Sequence, residues 1–295
     1  MYLEFYGLAR APFEMAPDPT FLYLGEDHRE GLATLVYGVR SRKGFVLLTG
    51  EVGTGKTTLL HALLGQLDAS TASAFIFNPK LEPLDFFRML FDEFGIEAPC
   101  RSKAECLIAL NGFLIERLER GETALLIVDE AQNLSAEMLE EVRLLSNLET
   151  SSQKLLQIML VGQPELARML ARPELRQLRQ RIVLRHHLQP FDAGETDAYV
   201  EERLRLAGYT GKELFTRSAR RRIHAVTGGV PRLVNIVCDR ALLSGFTRER
   251  LVIGNDLVDE AARDLELCGS RNGEAPVAGP AGAPHRKRSW LGFLR

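Results

Sequence analysis

Three dominantly apolar runs organise the chain: residues 45–48 (Phe-Val-Leu-Leu), 124–128 (Ala-Leu-Leu-Ile-Val) and 155–161, in which Gln157 is the one polar residue. Each is too short for a buried helix, and each reads as a strand covered on both faces in a parallel sheet. Shorter segments at 74–77 and 182–184 add two further strand candidates. Between these runs apolar residues recur every three or four positions, predicting helices over 29–39, 84–94, 103–120 and 139–148. In 103–120 the predicted face is Leu107, Leu110, Leu114, Ile115 and Leu118. Strands alternating with helices imply βαβ units and a helix-covered parallel sheet. After Pro190-Phe191 the strand signal stops, and 193–206, 217–226, 231–245 and 256–265 are all helical by period. Val252-Ile253 reads as a short extended piece, with Asn255 capping the last helix. The predicted division is therefore an N-terminal segment (1–28), an α/β domain (29–191), a small all-helical domain (192–266) and a linker with a tail (267–295). The first 28 residues, with Pro12, Pro17, Pro19 and many rings, cannot form one long helix. They read as an extended segment anchored by its aromatic side chains and packing on the α/β domain.

The first strand runs into Gly50-Glu51-Val52-Gly53-Thr54-Gly55-Lys56-Thr57-Thr58, after which a helical pattern opens. Strand, glycine-rich loop and helix start in this order make a triphosphate site. The glycines let backbone wrap phosphate, and the N–H groups of the loop and helix start face its charge. Lys56 would reach the β- and γ-phosphates, and the Thr57 hydroxyl would sit on Mg²⁺. The strand 124–128 ends in Asp129-Glu130. Asp129 at the carboxyl end of a central strand would complete the Mg²⁺ shell, and Glu130 would act as general base on the attacking water. This pairing marks ATP hydrolysis rather than binding alone. A GTPase would need an Asn-Lys-x-Asp motif, which Asn78-Pro79-Lys80 does not supply, and a small-molecule kinase has no use for the acidic doublet.

Gln163, after the strand 155–161, is a candidate for contacting the γ-phosphate or the water, the other reading being a polar strand terminus. Arg176, Arg179 and Arg181 are candidates for an arginine presented to a neighbouring protomer, with Arg181, just before strand 182–184, favoured. Gly228-Gly229-Val230-Pro231-Arg232 starts a helix of the second domain, so that Arg232 would point back at the nucleotide.

These motifs, in this order, resemble the AAA+ ATPases. More narrowly, three segments look like the ATPase domain of the general secretion pathway protein A type: Pro12-Phe13 with Pro17-Asp18-Pro19-x-Phe21, the loop 50–58, and Leu160-Val161-Gly162-Gln163-Pro164-Glu165-Leu166. The resemblance covers about residues 1–266. It implies a P-loop NTPase parallel sheet flanked by helices and followed by a small all-helical AAA+ lid, with ATP and Mg²⁺ bound between them. It also implies homo-oligomers and the N-terminal rings near the adenine, with Phe13 and Phe21 the candidates and simple core anchoring the competing reading. Proteins of this type continue through a membrane span into a periplasmic peptidoglycan-binding domain; here the chain stops at a short basic-aromatic tail, so that role does not carry over.

The bulk numbers add limits. A composition of 45% hydrophobic and 26% charged residues is that of a soluble globular chain, and a net charge of −2 argues against a uniformly basic nucleic-acid binder. The start lacks a signal-peptide profile and no run approaches the ~20 apolar residues of a membrane span. Cys100, Cys106, Cys238 and Cys268 form no C-x-x-C pair and read as free thiols in a reducing cytoplasm. Arg286-Lys287-Arg288, followed by Trp290, Leu291, Phe293 and Leu294, reads as weak contact of 286–295 with an anionic membrane surface, as docking on a partner, or as an unstructured solubilising end. The cluster Arg217, Arg220, Arg221 and Arg222 reads as a nucleic-acid or subunit contact, or as a solvated helix face. Two functions follow. The favoured one is an ATPase energising a cell-envelope machine for secretion, pilus assembly or exopolysaccharide export, cytoplasmic and peripheral to the inner membrane. The other is a DNA-associated regulator of the transposition type.

Overall fold

The computed structural model describes residues 1–15, 21–68, 70–77, 82–151 and 153–267. The expected linker and tail, the membrane contact at 286–295, the segment Pro17-Asp18-Pro19 and Cys268 lie outside the described residues. Five parallel strands, β1 (Phe45–Gly50), β2 (Thr71–Ile76), β3 (Thr123–Val128), β4 (Leu156–Gly162) and β5 (Ile182–Leu188), form one sheet in the order β2-β3-β4-β1-β5. β1 and β4 are buried along their whole length, the polar Thr49 and Gln157 included, and β3 is buried from Ala124 on. The two edge strands alternate instead. β5 continues past Leu184 through Arg185-His186-His187, polar residues on an edge strand that no apolar run could reveal.

Helices cover both faces. α2 (Glu26–Arg40) and α3 (Lys56–Gln66) enclose a core with Leu32, Leu35, Leu59, Leu63 and the inner side chains of β1 and β4. The opposite face carries α4 (Pro83–Phe94), α5 (Lys103–Glu119), α6 (Ala136–Leu145), α7 (Pro164–Leu170) and α8 (Arg176–Arg181). α6 starts three residues earlier than its apolar spacing suggests, because Ser135 caps it by accepting from Met138 N at 3.1 Å. On α5 the buried stripe is Cys106, Leu110 and Leu114, whereas Ile115 is turned outward.

The expectation of free thiols at Cys100 and Cys106 is corrected: the two form a disulfide that ties the loop before α5 to its first turn, while Cys238 is free and buried. The residues are six apart, a spacing that gives no sequence signal of pairing. Closing so short a loop removes about 2 kcal/mol of chain entropy from the unfolded state. Denaturant unfolding with and without excess dithiothreitol is expected to show a loss of that size; superimposable curves would contradict the pairing.

From Ala193 to Leu267 the described residues are mainly helical: α9 (Ala193–Leu206), α10 (Arg217–Thr227), α11 (Pro231–Thr247) and α12 (Asn255–Asp264). Gly254, not Asn255, is the N-cap of α12, and Asn255 is the first helical residue. Ile253 forms an isolated parallel bridge with Phe215. The N-terminal segment, with its short helix α1 (Tyr2–Tyr6), packs on this helical layer and not on the α/β layers as expected. Tyr6, Leu8, Phe13 and Phe21 share a core with Val200, Phe215, Val234 and Leu257. The buried Arg203 of α9 secures the segment, donating to the carbonyls of Pro12 and Glu14 while stacking its guanidinium 4.3 Å from the Phe21 ring. No helix among the described residues is long and apolar enough to cross a membrane.

Candidate nucleotide site

Strand register places the chemistry. Leu48 pairs with Val161 and Val128 with Leu160, so β1, β3 and β4 end at one level, and the loop 50–55, Asp129-Glu130 and Gln163 emerge side by side. Carboxyl ends of parallel strands are where such sheets bind ligands. Here they open into a cavity of about 810 Å³ lined by the loop and the start of α3, by Glu130, by Phe21 to Leu24, and by Tyr199, Arg232 and Asn235 of the helical layer.

The loop turns on two left-handed glycines, Gly53 (φ +83°) and Gly55 (φ +100°), the second being the N-cap of α3. A Cβ on Gly53 would stand 2.7 Å from Arg232 Cβ, so the close approach of the two segments requires glycine there. No side chain caps α3, whose first-turn N–H groups belong to residues lining the cavity. Thr54, fully buried, donates its hydroxyl to Glu51 O at 2.9 Å. Lys56 is 7% exposed and its Nζ donates to Gly50 O (2.8 Å) and Glu51 O (3.0 Å), folding the side chain back along the loop. Burial lowers its pKa, opposed by the nearby Glu130, Asp129 and Glu51 carboxylates. Val52, Thr57 and Thr58 are exposed at the mouth.

Asp129 is buried and accepts from Glu130 N at 2.8 Å, while burial raises its pKa. Glu130 adopts φ +51°, rare for a residue with a Cβ, and this turn aims its carboxylate along the sheet's end. Its Oε2 accepts from Gln163 Nε2 at 3.2 Å and from Gln132 Nε2. Gln132 Oε1 in turn accepts from Gln163 N at 3.1 Å. Gln163 is thus more than a strand terminus, since it orients Glu130. Gln132 escaped the sequence reading, and its only signal is its place two residues after the acidic doublet.

His28 was also missed. It is 3% exposed, bonds Thr54 O through Nε2 at 2.9 Å, and packs against Phe191 with ring centroids 4.9 Å apart. Nothing in the spacing of α2 separates it from an ordinary first-turn polar residue. Arg232, at the start of α11, reaches the loop through its backbone, N–H to Gly53 O at 3.2 Å, and its exposed side chain lines the cavity. Of the two N-terminal rings, Phe21 lines the cavity, whereas Phe13 is buried against Phe215 and is a core anchor.

Arg181, the residue favoured for presentation to a neighbouring protomer, is bonded within its own chain. Its guanidinium binds the end of α6, through Arg143 O (3.4 Å), Ser146 Oγ and Asn147 Oδ1 (2.7 Å). That carbonyl-rich helix terminus attracts a cation. Arg176 and Arg179 are exposed, with no ion pair or hydrogen bond to their side chains among the described residues.

The residues present fit Mg-ATP. The glycine cradle, the uncapped helix start and the buried Lys56 suit the phosphates. Thr57 and Asp129 would hold the metal, which needs few protein ligands because water and phosphate supply the rest. Bound there, Mg²⁺ would neutralise phosphate charge.

Residues 39–170 match the family described as an AAA domain. The chain is 47% identical over 249 residues to general secretion pathway protein A of Aeromonas hydrophila, an alignment covering 84% of this chain and 45% of that protein. The chain thus spans about half the length of that relative. Among solved structures, the ORC2 protein of Aeropyrum pernix in its ADPNP-ADP complexes superposes with a TM-score of 0.63 at 19% identity, over 87% of this chain and 72% of that one. Cdc6p from Pyrobaculum aerophilum gives 0.64 at 18%, over 84% and 71%. At such identities these two structures speak for the fold alone. The chain thus carries an AAA domain on a P-loop NTPase-like fold and, over 84% of its length, is similar to general secretion pathway protein A.

Proposed function

We propose that this protein hydrolyses Mg-ATP in the cleft between its sheet and its helical layer, and that the cycle energises a cell-envelope machine on the cytoplasmic side of the inner membrane. The observation that carries hydrolysis is Glu130. Its carboxylate is held at Oε2 by two amides at the level of the phosphate loop, which leaves Oε1 to accept a proton from water. Lys56 and the loop N–H groups neutralise the phosphates, and Thr57 and Asp129 bind the metal. Arg232 binds the γ-phosphate and couples it to the position of α11, which makes nucleotide state a conformational switch. The identity to general secretion pathway protein A supports the envelope role. The DNA reading loses its best candidate patch. Arg220 is enclosed by Asp197, Glu201 and Glu213, and Arg222 pairs with Asp259, so half of that basic cluster is neutralised within the chain.

The reading also includes a homo-oligomer in which Arg176 and Arg179 reach the neighbouring γ-phosphate. The test is phosphate release by the double variant Arg176→Ala/Arg179→Ala, expected to fall about 100-fold or more with unchanged thermal unfolding. Arg181→Ala is expected to cost about 1–2 kcal/mol of stability through the lost α6 contacts. Full activity in the double variant would remove these arginines from the mechanism.

A further inference from the structure

Helix α11 brings two polar side chains to the cavity one helical turn apart. Arg232 sits at the phosphate loop, and Asn235 lies a turn further along the cavity wall. Asn235 is only 9% exposed. Its Oδ1 accepts from the Tyr199 hydroxyl of α9 at 2.8 Å, which fixes the carbonyl end of the amide. The Nδ2 end has no partner among the described residues. A buried amide pinned at one end and open at the other, on the wall of a ligand-sized cavity, is set to donate to a ligand. The surroundings favour a flat one: Tyr23, Phe191 and Tyr199 stand with ring centroids 5.1–5.5 Å apart beside it.

We propose that Asn235 donates through Nδ2 to an acceptor on the nucleoside half of the nucleotide, either a purine ring nitrogen or a ribose hydroxyl. The inference rests on the ATP reading above. α11 then reads both ends of one ligand, Arg232 the terminal phosphate and Asn235 the nucleoside. Arg232 sets the preference for triphosphate, whereas Asn235 holds ATP and ADP alike, so the helical layer stays engaged after hydrolysis. Tyr199 is a positioning residue that acts through the amide.

Titration calorimetry with ADP and with inorganic tripolyphosphate tests this. Asn235→Ala is expected to weaken ADP about tenfold and leave tripolyphosphate unchanged. Asn235→Asp is expected to weaken ADP further where the acceptor is a ring nitrogen, because a carboxylate then turns an acceptor toward an acceptor, whereas a ribose hydroxyl can donate to the carboxylate and keeps the affinity. Tyr199→Phe keeps the ring and is expected to weaken ADP a few-fold, again without effect on tripolyphosphate. With 2′,3′-dideoxy-ATP a ribose contact makes wild type and Asn235→Ala equal, whereas a ring-nitrogen contact preserves the tenfold gap. Unchanged ADP affinity in Asn235→Ala, or equal losses for ADP and tripolyphosphate, would overturn the inference. A wild-type protein that binds neither probe would instead overturn the ATP reading itself.

Discussion

Replacing Glu130 by glutamine is expected to lower ATP turnover by about 100-fold or more while leaving Mg-ATP affinity equal to or tighter than wild type. The amide keeps an oxygen that accepts from Gln132 and Gln163, so the turn at φ +51° and the local bonds survive. What disappears is the base. The charge lost also stood near Lys56, where it opposed the effect of burial on the ammonium, and its removal reduces repulsion toward the phosphates. Single-turnover phosphate release beside equilibrium binding separates the two effects. Equal loss of binding and turnover would mean that Glu130 builds the pocket rather than performing chemistry.

The second large effect is expected at the junction between the layers. Gly229 has φ +74°, and a Cβ there would lie 1.9 Å from Phe191 O and 3.2 Å from His224 Nδ1. Its carbonyl accepts from Phe191 N at 3.0 Å, the bond that closes the path from β5 back onto the start of α11. Gly229→Ala must break that bond or move Phe191, which packs on His28 and hence on the phosphate loop. We expect a loss of about 3 kcal/mol or more in urea unfolding, accompanied by weaker nucleotide binding. Gly228 is the control. It too is left-handed, at φ +58°, but a Cβ there would meet nothing within 4 Å, so Gly228→Ala should cost only about 1 kcal/mol. Equal losses in the two variants would show that the close approach to Phe191 carries no weight.

Much of this was legible in the chain because strand burial and phosphate chemistry both leave local signatures. β1, β3 and β4 are dominantly apolar because both their faces are covered, and the glycines, Lys56, Asp129 and Glu130 follow at the ends of β1 and β3. The edge strand β5 was only half visible, since exposure admits Arg185, His186 and His187. Long-range contacts left no local trace. The bond of His28 to Thr54, the clamp of Gln132 on Glu130, and the docking of the N-terminal rings on the helical layer join residues by tertiary packing alone. The contacts of Arg181 were hidden for a related reason: its place before a strand says nothing about the helix terminus of α6 lying within its reach.

The loop at 50–57 and the acidic doublet are proposed to form a working hydrolytic site. Steady-state phosphate release from Mg-ATP by the purified chain, with Lys56→Ala as the blank, tests it most directly. Magnesium-dependent turnover is expected, rising with protein concentration as protomers associate and falling to background in Lys56→Ala. Turnover in the wild type no greater than in Lys56→Ala, at protein concentrations where the chain is assembled, would contradict it.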